Sequence, residues 1–120
     1  PTSIGNLASL EILAISSCNF SGEVPASSLR NLTQLTALII GKNNFSSLSS
    51  RSLSWIADLK KLTILDLESS KLVGEVPPTL MNLTQLTQLS LAFNHQLTGP
   101  IPYWLMNLNK HPFSASEVAN

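Results

Sequence analysis

One spacing governs this chain. Leucines at Leu7, Leu32, Leu59, Leu83 and Leu108 each open the same pattern, at steps of 25, 27, 24 and 25 residues. From each the pattern L-x-x-L-x-x-L-x-L-x-x-N/C can be read: Leu7, Leu10, Leu13, Ile15, Cys18; then Leu32, Leu35, Leu38, Ile40, Asn43. The third copy is Leu59, Leu62, Leu65, Leu67, Ser70 and the fourth Leu83, Leu86, Leu89, Leu91, Asn94. All sixteen apolar positions of these four copies are Leu or Ile. A unit of this length cannot bury its apolar face alone, so neighbouring units must stack and share a core. The chain is therefore expected to be an α/β solenoid of about four coils plus partial ends, over residues 1–110.

The spacing also says how each coil runs. The closing L-x-L has period two, so its apolar residues point inward from a short strand and their neighbours point outward. Successive strands should lie parallel at about 4.8 Å and form one concave sheet. The Asn that follows turns the chain, and inside a stack its amide can bond the backbone of adjacent coils. Cys18 should fill that slot as a small buried residue, whereas Ser70 puts one such contact in doubt.

The second half of the coils carries a further motif. Phe20-Ser21-Gly22-Glu23-Val24-Pro25, Leu72-Val73-Gly74-Glu75-Val76-Pro77 and Leu97-Thr98-Gly99-Pro100-Ile101-Pro102 all read L/F-x-G-x-I/V-P. Glycine permits a backbone shape other residues resist, and proline stops a helix from continuing. This resembles the plant-specific class of leucine-rich repeat, as found in ectodomains of receptor-like proteins and receptor-like kinases. Cys18-Asn19-Phe20-Ser21-Gly22-Glu23 and the repeated Asn-Leu-Thr-Gln-Leu-Thr at 31–36 and 82–87 look closest to receptor-like proteins of the defence type. The resemblance implies right-handed coils, a second short strand from the L-x-G-x-I-P segment, and a cell-surface receptor acting in defence or development. Its partners would be a protein or peptide ligand and, through the parent protein, a co-receptor kinase, at the outer face of the plasma membrane. A secreted polygalacturonase-inhibitor-like protein uses the same coils and stands as the alternative, as does a truncated gene fragment without function.

Two departures qualify the pattern. Coil two lacks the G-x-I-P segment and is longer, and a short helix is expected around Leu53 to Leu59. After Leu108 the pattern meets His111, Ser114 and Ser116 where leucines belong, so residues 111–120 are expected to be a disordered tail outside the repeats.

Chemistry has few candidates. Seven basic and seven acidic residues cancel, which leaves no field to draw nucleic acid or an anionic membrane surface. A single cysteine excludes an internal disulfide and a thiolate metal site. His95 and His111 stand alone, and the glycines match no phosphate-binding loop. No catalytic, metal or cofactor-binding residue is assigned, and no direct membrane contact is expected. Asp66 and Glu68 fall on one face beside Lys42, an arrangement that suits partner contact better than acid–base catalysis.

The outward face of the concave sheet, on which Ala37 is also expected to be open, holds the candidate site: Ile12, Ala14, Ser16, Ile39, Lys42, Ile64, Asp66, Glu68, Gln88, Ser90 and Phe93. Three isoleucines and a phenylalanine on one exposed face exceed what solvation requires, and exposed apolar patches mark interaction sites. Four N-x-S/T sequons, at Asn19, Asn31, Asn44 and Asn82, are candidate glycosylation sites of a secreted chain.

Overall fold

The computed structural model describes residues 2–46, 48, 49 and 51–100. Each coil supplies one three-residue strand and one two-residue strand. Coil one holds β1 (Ile12–Ala14) and β2 (Ser21–Gly22), and coil two holds β3 (Ala37–Ile39) and β4 (Asn44–Phe45). Coil three holds β5 (Ile64–Asp66) and β6 (Val73–Gly74), and coil four holds β7 (Gln88–Ser90) and β8 (Gln96–Leu97). The longer strands form one parallel sheet in the order β1-β3-β5-β7, the architecture expected of a leucine-rich repeat solenoid.

Register follows from the period-two pattern. Leu13, Leu38, Leu65 and Leu89 are aligned partners across the sheet and point inward. Leu38 is 0 % exposed, and Leu65 and Leu89 are each 1 % exposed. Leucines from the turns before the strands (Leu35, Leu62, Leu86) and from those after them (Leu67, Leu91) complete a continuous column of apolar packing.

The return side of each of the first three coils is short helix. Coil one uses α1 (Ala26–Leu29), and coils two and three use 3₁₀ turns at Ser54–Asp58 and Pro78–Asn82. Pro25 and Pro77 sit at the starts of the first and third of these, where their fixed φ is compatible and no donor is lost. The helix expected in coil two is thus a single 3₁₀ segment, with Trp55 and Ile56 buried beneath it.

Inside the stack two asparagines clamp neighbouring coils. Asn43 Oδ1 accepts the N–H groups of Cys18 at 3.1 Å and Phe20 at 3.0 Å, and its Nδ2 lies 2.9–3.2 Å from the carbonyls of Ile15, Ile40 and Gly41. Asn94 does the same one pair of coils later, accepting from Ser70 and Leu72 and donating toward Leu67, Leu91 and Ala92. Ser70 is too short to repeat this, and its hydroxyl donates within its own coil to Glu68 O at 3.2 Å. The flanking strands break at the same place: β2 pairs with β4 and β6 with β8, but among the described residues coil two and β6 are joined by a single bridge, Ser49 to Val73. The extra residues of coil two push the pairing partner of Val73 beyond β4.

Two expectations for coil one are corrected. Leu7 is 53 % exposed and Cys18 is exposed. Leu10 and Ile15 are half-buried, because no strand covers the outer side of β1 among the described residues. The cysteine occupies the ladder position in sequence but buries nothing there. Leu108, the Ile101-Pro102 pair and the proposed tail 111–120 lie outside the described residues.

Candidate recognition surface

The main sheet sorts the outward side chains into rows. Strand register places Ile12, Ala37, Ile64 and Gln88 in one row and Ala14, Ile39, Asp66 and Ser90 in the next. Backbone bonds from Ile15 to Ile39 O, Ser17 to Gly41 O, Lys42 to Glu68 O and Ser69 to Ala92 O carry the ladder past the strands. They align Ser16, Gly41, Glu68 and Ala92 as a third row. The sequence-expected concave residues other than Lys42 and Phe93, which stand in the turns after β3 and β7, therefore share these rows.

Exposure along these rows is uneven. Ile12 is 60 % exposed, whereas Ile39 and Ile64 are half-buried. Ala37 was expected to be open, yet it is buried, because its single methyl group sits in the row between Ile12 and Ile64 at strand spacing. The result is a low apolar ridge over coils one to three that gives way to polar Gln88 and Ser90 on coil four.

The charged part is built by the turn after β5. Asp66 Oδ1 accepts the Glu68 N–H at 2.9 Å, which fixes the turn and points the Glu68 carboxylate toward coil two. There it meets Lys42 Nζ at 3.7 Å. The pair is solvent-accessible and contributes little to stability, about 0–1 kcal/mol. Gly41 makes this approach possible: a Cβ at that position would lie 2.4 Å from Glu68 O and 2.8 Å from Glu68 N. Among the described residues no cation pairs with the Asp66 carboxylate.

Phe93, like Lys42, lies one step beyond the rows. It occupies the turn after β7 with φ +59°. With Ser69, Lys71, His95 and Gln96 it lines an open notch of about 620 Å³. Sequence reading singled out neither Lys71 nor Gln96. Both directly follow the ladder turn of their coils, and that equivalence is the signal that would have joined them to Phe93.

All four sequon asparagines are exposed. Asn31 and Asn82 lie at the ends of the return-side helices, away from the sheet rows. Asn44 Oδ1 accepts a hydrogen bond from Lys71 Nζ. Among the described residues no His, Cys, Asp and Glu cluster has metal-site geometry, and no helix is long and apolar enough to cross a membrane.

Comparison with known proteins agrees with this architecture. The Leucine Rich Repeat family matches at residues 9–32 and 61–83. Receptor-like protein 39 of Arabidopsis thaliana is 46 % identical over 101 residues, covering 82 % of this chain and 11 % of the relative. The chain thus spans about a tenth of that protein's length. The Arabidopsis receptor kinase HAESA, solved with the peptide hormone IDA and the co-receptor SERK1, superposes with a TM-score of 0.77 at 42 % identity. That alignment covers 92 % of this chain and 18 % of the HAESA chain. The Arabidopsis BIR3–SERK2 complex contains a chain with a TM-score of 0.80 at 31 % identity, covering 98 % of this chain and 57 % of its own. The chain belongs to the leucine-rich repeat family, as a segment of the kind that builds plant receptor ectodomains.

Proposed function

We propose that this chain is a recognition segment of a plant cell-surface receptor, binding a protein or peptide ligand across its concave sheet and performing no chemistry of its own. The observation that carries this is the exposed row structure: an apolar ridge of Ile12, Ile39 and Ile64 runs directly into Asp66 and Glu68 on a rigid sheet. Apolar area supplies affinity, and charge beside it supplies register and discrimination. HAESA, with the same repeats, was solved with a peptide hormone and a co-receptor, which supports a polypeptide ligand and a partnering kinase here. Exposed sequons on the return side support a secreted glycoprotein at the outer face of the plasma membrane, acting in defence or developmental signalling.

Site-specific photocrosslinking in the full-length receptor on living cells tests this. A photoreactive residue at Ile39 or Gln88 should capture a partner that one at Met81, exposed on the return side, does not. Capture at Ile39 should disappear when Ile64 is changed to Arg. Equal labelling at Met81, or capture indifferent to Ile64→Arg, would overturn the concave reading.

A further inference from the structure

We infer that the notch on the flank of coils three and four is a second contact site, built for an internal acidic segment of a partner polypeptide, with an apolar residue beside the carboxylate. It shares no residue with the sheet rows, and it rests on the proposed function only in that its partner is a polypeptide.

The notch is lined by Ser69, Lys71, Phe93, His95 and Gln96 and holds about 620 Å³. Among the described residues its polar groups include no carboxylate and each can donate: an ammonium, an imidazole, a carboxamide and a hydroxyl. The acid adjoining it in sequence, Glu68, turns the other way and faces Lys42 across the coil boundary at 3.7 Å. Lys71 is held in place because its Nζ donates to Asn44 Oδ1, which leaves two ammonium protons for a ligand. Charge complementarity therefore selects an anion, and the aromatic wall selects an apolar neighbour for it.

Phe93 supports the assignment independently. Its equivalents after the other strands are Ser17, Lys42 and Ser69, all in the same left-handed turn at φ +50° to +57°. That conformation is costly for a bulky side chain, and here the ring is 57 % exposed, so core packing offsets little of the cost. A ring placed at such a turn and left in solvent is explained by a contact it makes with a partner.

The full 120-residue chain, isotope-labelled, can be titrated with three hexapeptides while the amide resonances are followed by NMR. The first is Gly-Leu-Glu-Gly-Ser-Gly blocked at both ends, the second has Gln for Glu, and the third keeps Gln but has a free C-terminal carboxylate. The blocked Glu peptide should shift the amides of Ser69, Phe93 and Gln96. Its affinity should fall about tenfold on replacing Glu by Gln, the scale of one charge-assisted hydrogen bond. Lys71→Gln and Phe93→Ser should each weaken it by a similar factor, while Lys71→Arg keeps most of it and the return-side variant Met81→Ser leaves it unchanged. Equal binding of the blocked Gln peptide, or shifts confined to the sheet rows, would overturn the acidic assignment. Preferential binding of the free-carboxylate peptide would overturn the choice of an internal segment in favour of a chain end.

Discussion

Asn94 reaches back into coil three to accept the backbone N–H of Ser70 at 2.9 Å, but Ser70 offers coil two nothing in return. The joint between coils two and three is therefore the weak one of the stack, since among the described residues a single bridge, Ser49 to Val73, joins the flanking strands there. Ser70→Asn should restore the missing clamp, with its Oδ1 facing the N–H groups of Asn43 and Phe45. At roughly 0.5–1.5 kcal/mol for each hydrogen bond gained, the variant should unfold at higher urea with an unchanged slope. A midpoint that stays put or falls would mean that the space at residue 70 is already filled by something the Asn displaces.

How much of this was legible beforehand depends on the kind of position. Leu38, Leu65 and Leu89 could be placed because a period-two pattern inside a repeat fixes both face and register, and a stack leaves them no other neighbour. Cys18 and Leu7 could not, because the repeat gives them inward positions while their burial depends on whether another coil lies over them. Ala37 was misjudged for a related reason: its direction was right, but side-chain length beside Ile12 and Ile64 decides exposure. The notch around Phe93 was missed because its walls come from turns of two coils, and turn direction is set by left-handed residues that the leucine spacing does not report.

Leu65→Ala should be among the most damaging single changes. Its side chain is 1 % exposed between Leu38 and Leu89, and removing it costs roughly 2–5 kcal/mol in lost transfer energy and cavity formation. A stack this small has a total stability of about 5–15 kcal/mol at most. Thr84→Ala, at an exposed position, is the control. Similar urea midpoints for the two variants would show that the inward register of β5 is wrong.

Gly41→Ala should be destabilising although it adds a single methyl group. The new Cβ would meet Glu68 O at 2.4 Å and Asp66 Oδ1 at 3.1 Å, and the first of these contacts is backbone that cannot swing away. Forcing β3 and β5 apart at this end should cost on the order of 1–3 kcal/mol and lengthen the Lys42–Glu68 separation. Hydrogen exchange at Lys42, whose N–H donates to Glu68 O at 2.7 Å, is the local readout. Unchanged protection there would show that the two strand ends are not held as closely as the geometry requires.

Asn31 and Asn82 are expected to carry glycans when the chain is secreted from plant cells. Both are exposed at the ends of return-side helices, so an attached sugar leaves the sheet rows open. Enzymatic deglycosylation followed by peptide mapping would reveal Asn-to-Asp conversion at each. Unmodified asparagine at both positions, in material recovered from the secretory pathway, would count against their accessibility.

The isolated 120-residue chain should self-associate through the outer face of coil one. Among the described residues the outer edge of β1 has no paired strand, and such an edge is a template for another chain. In the same coil Leu7 is 53 % exposed, and Phe20, 38 % exposed, lines a pit with Ile4, Leu13, Ile15 and Leu29. Phe20 stacks on Phe45 with ring centroids 6.5 Å apart, so its outer face is held flat and ready to be covered. Replacing Leu7 and Phe20 together by Lys puts charge on this edge, a device that discourages strand addition. Sedimentation should show an average mass rising with concentration for the parent chain and a smaller rise for the double variant. A parent chain that sediments as a monomer throughout, or a double variant that associates equally well, would remove the edge of β1 as the site of association.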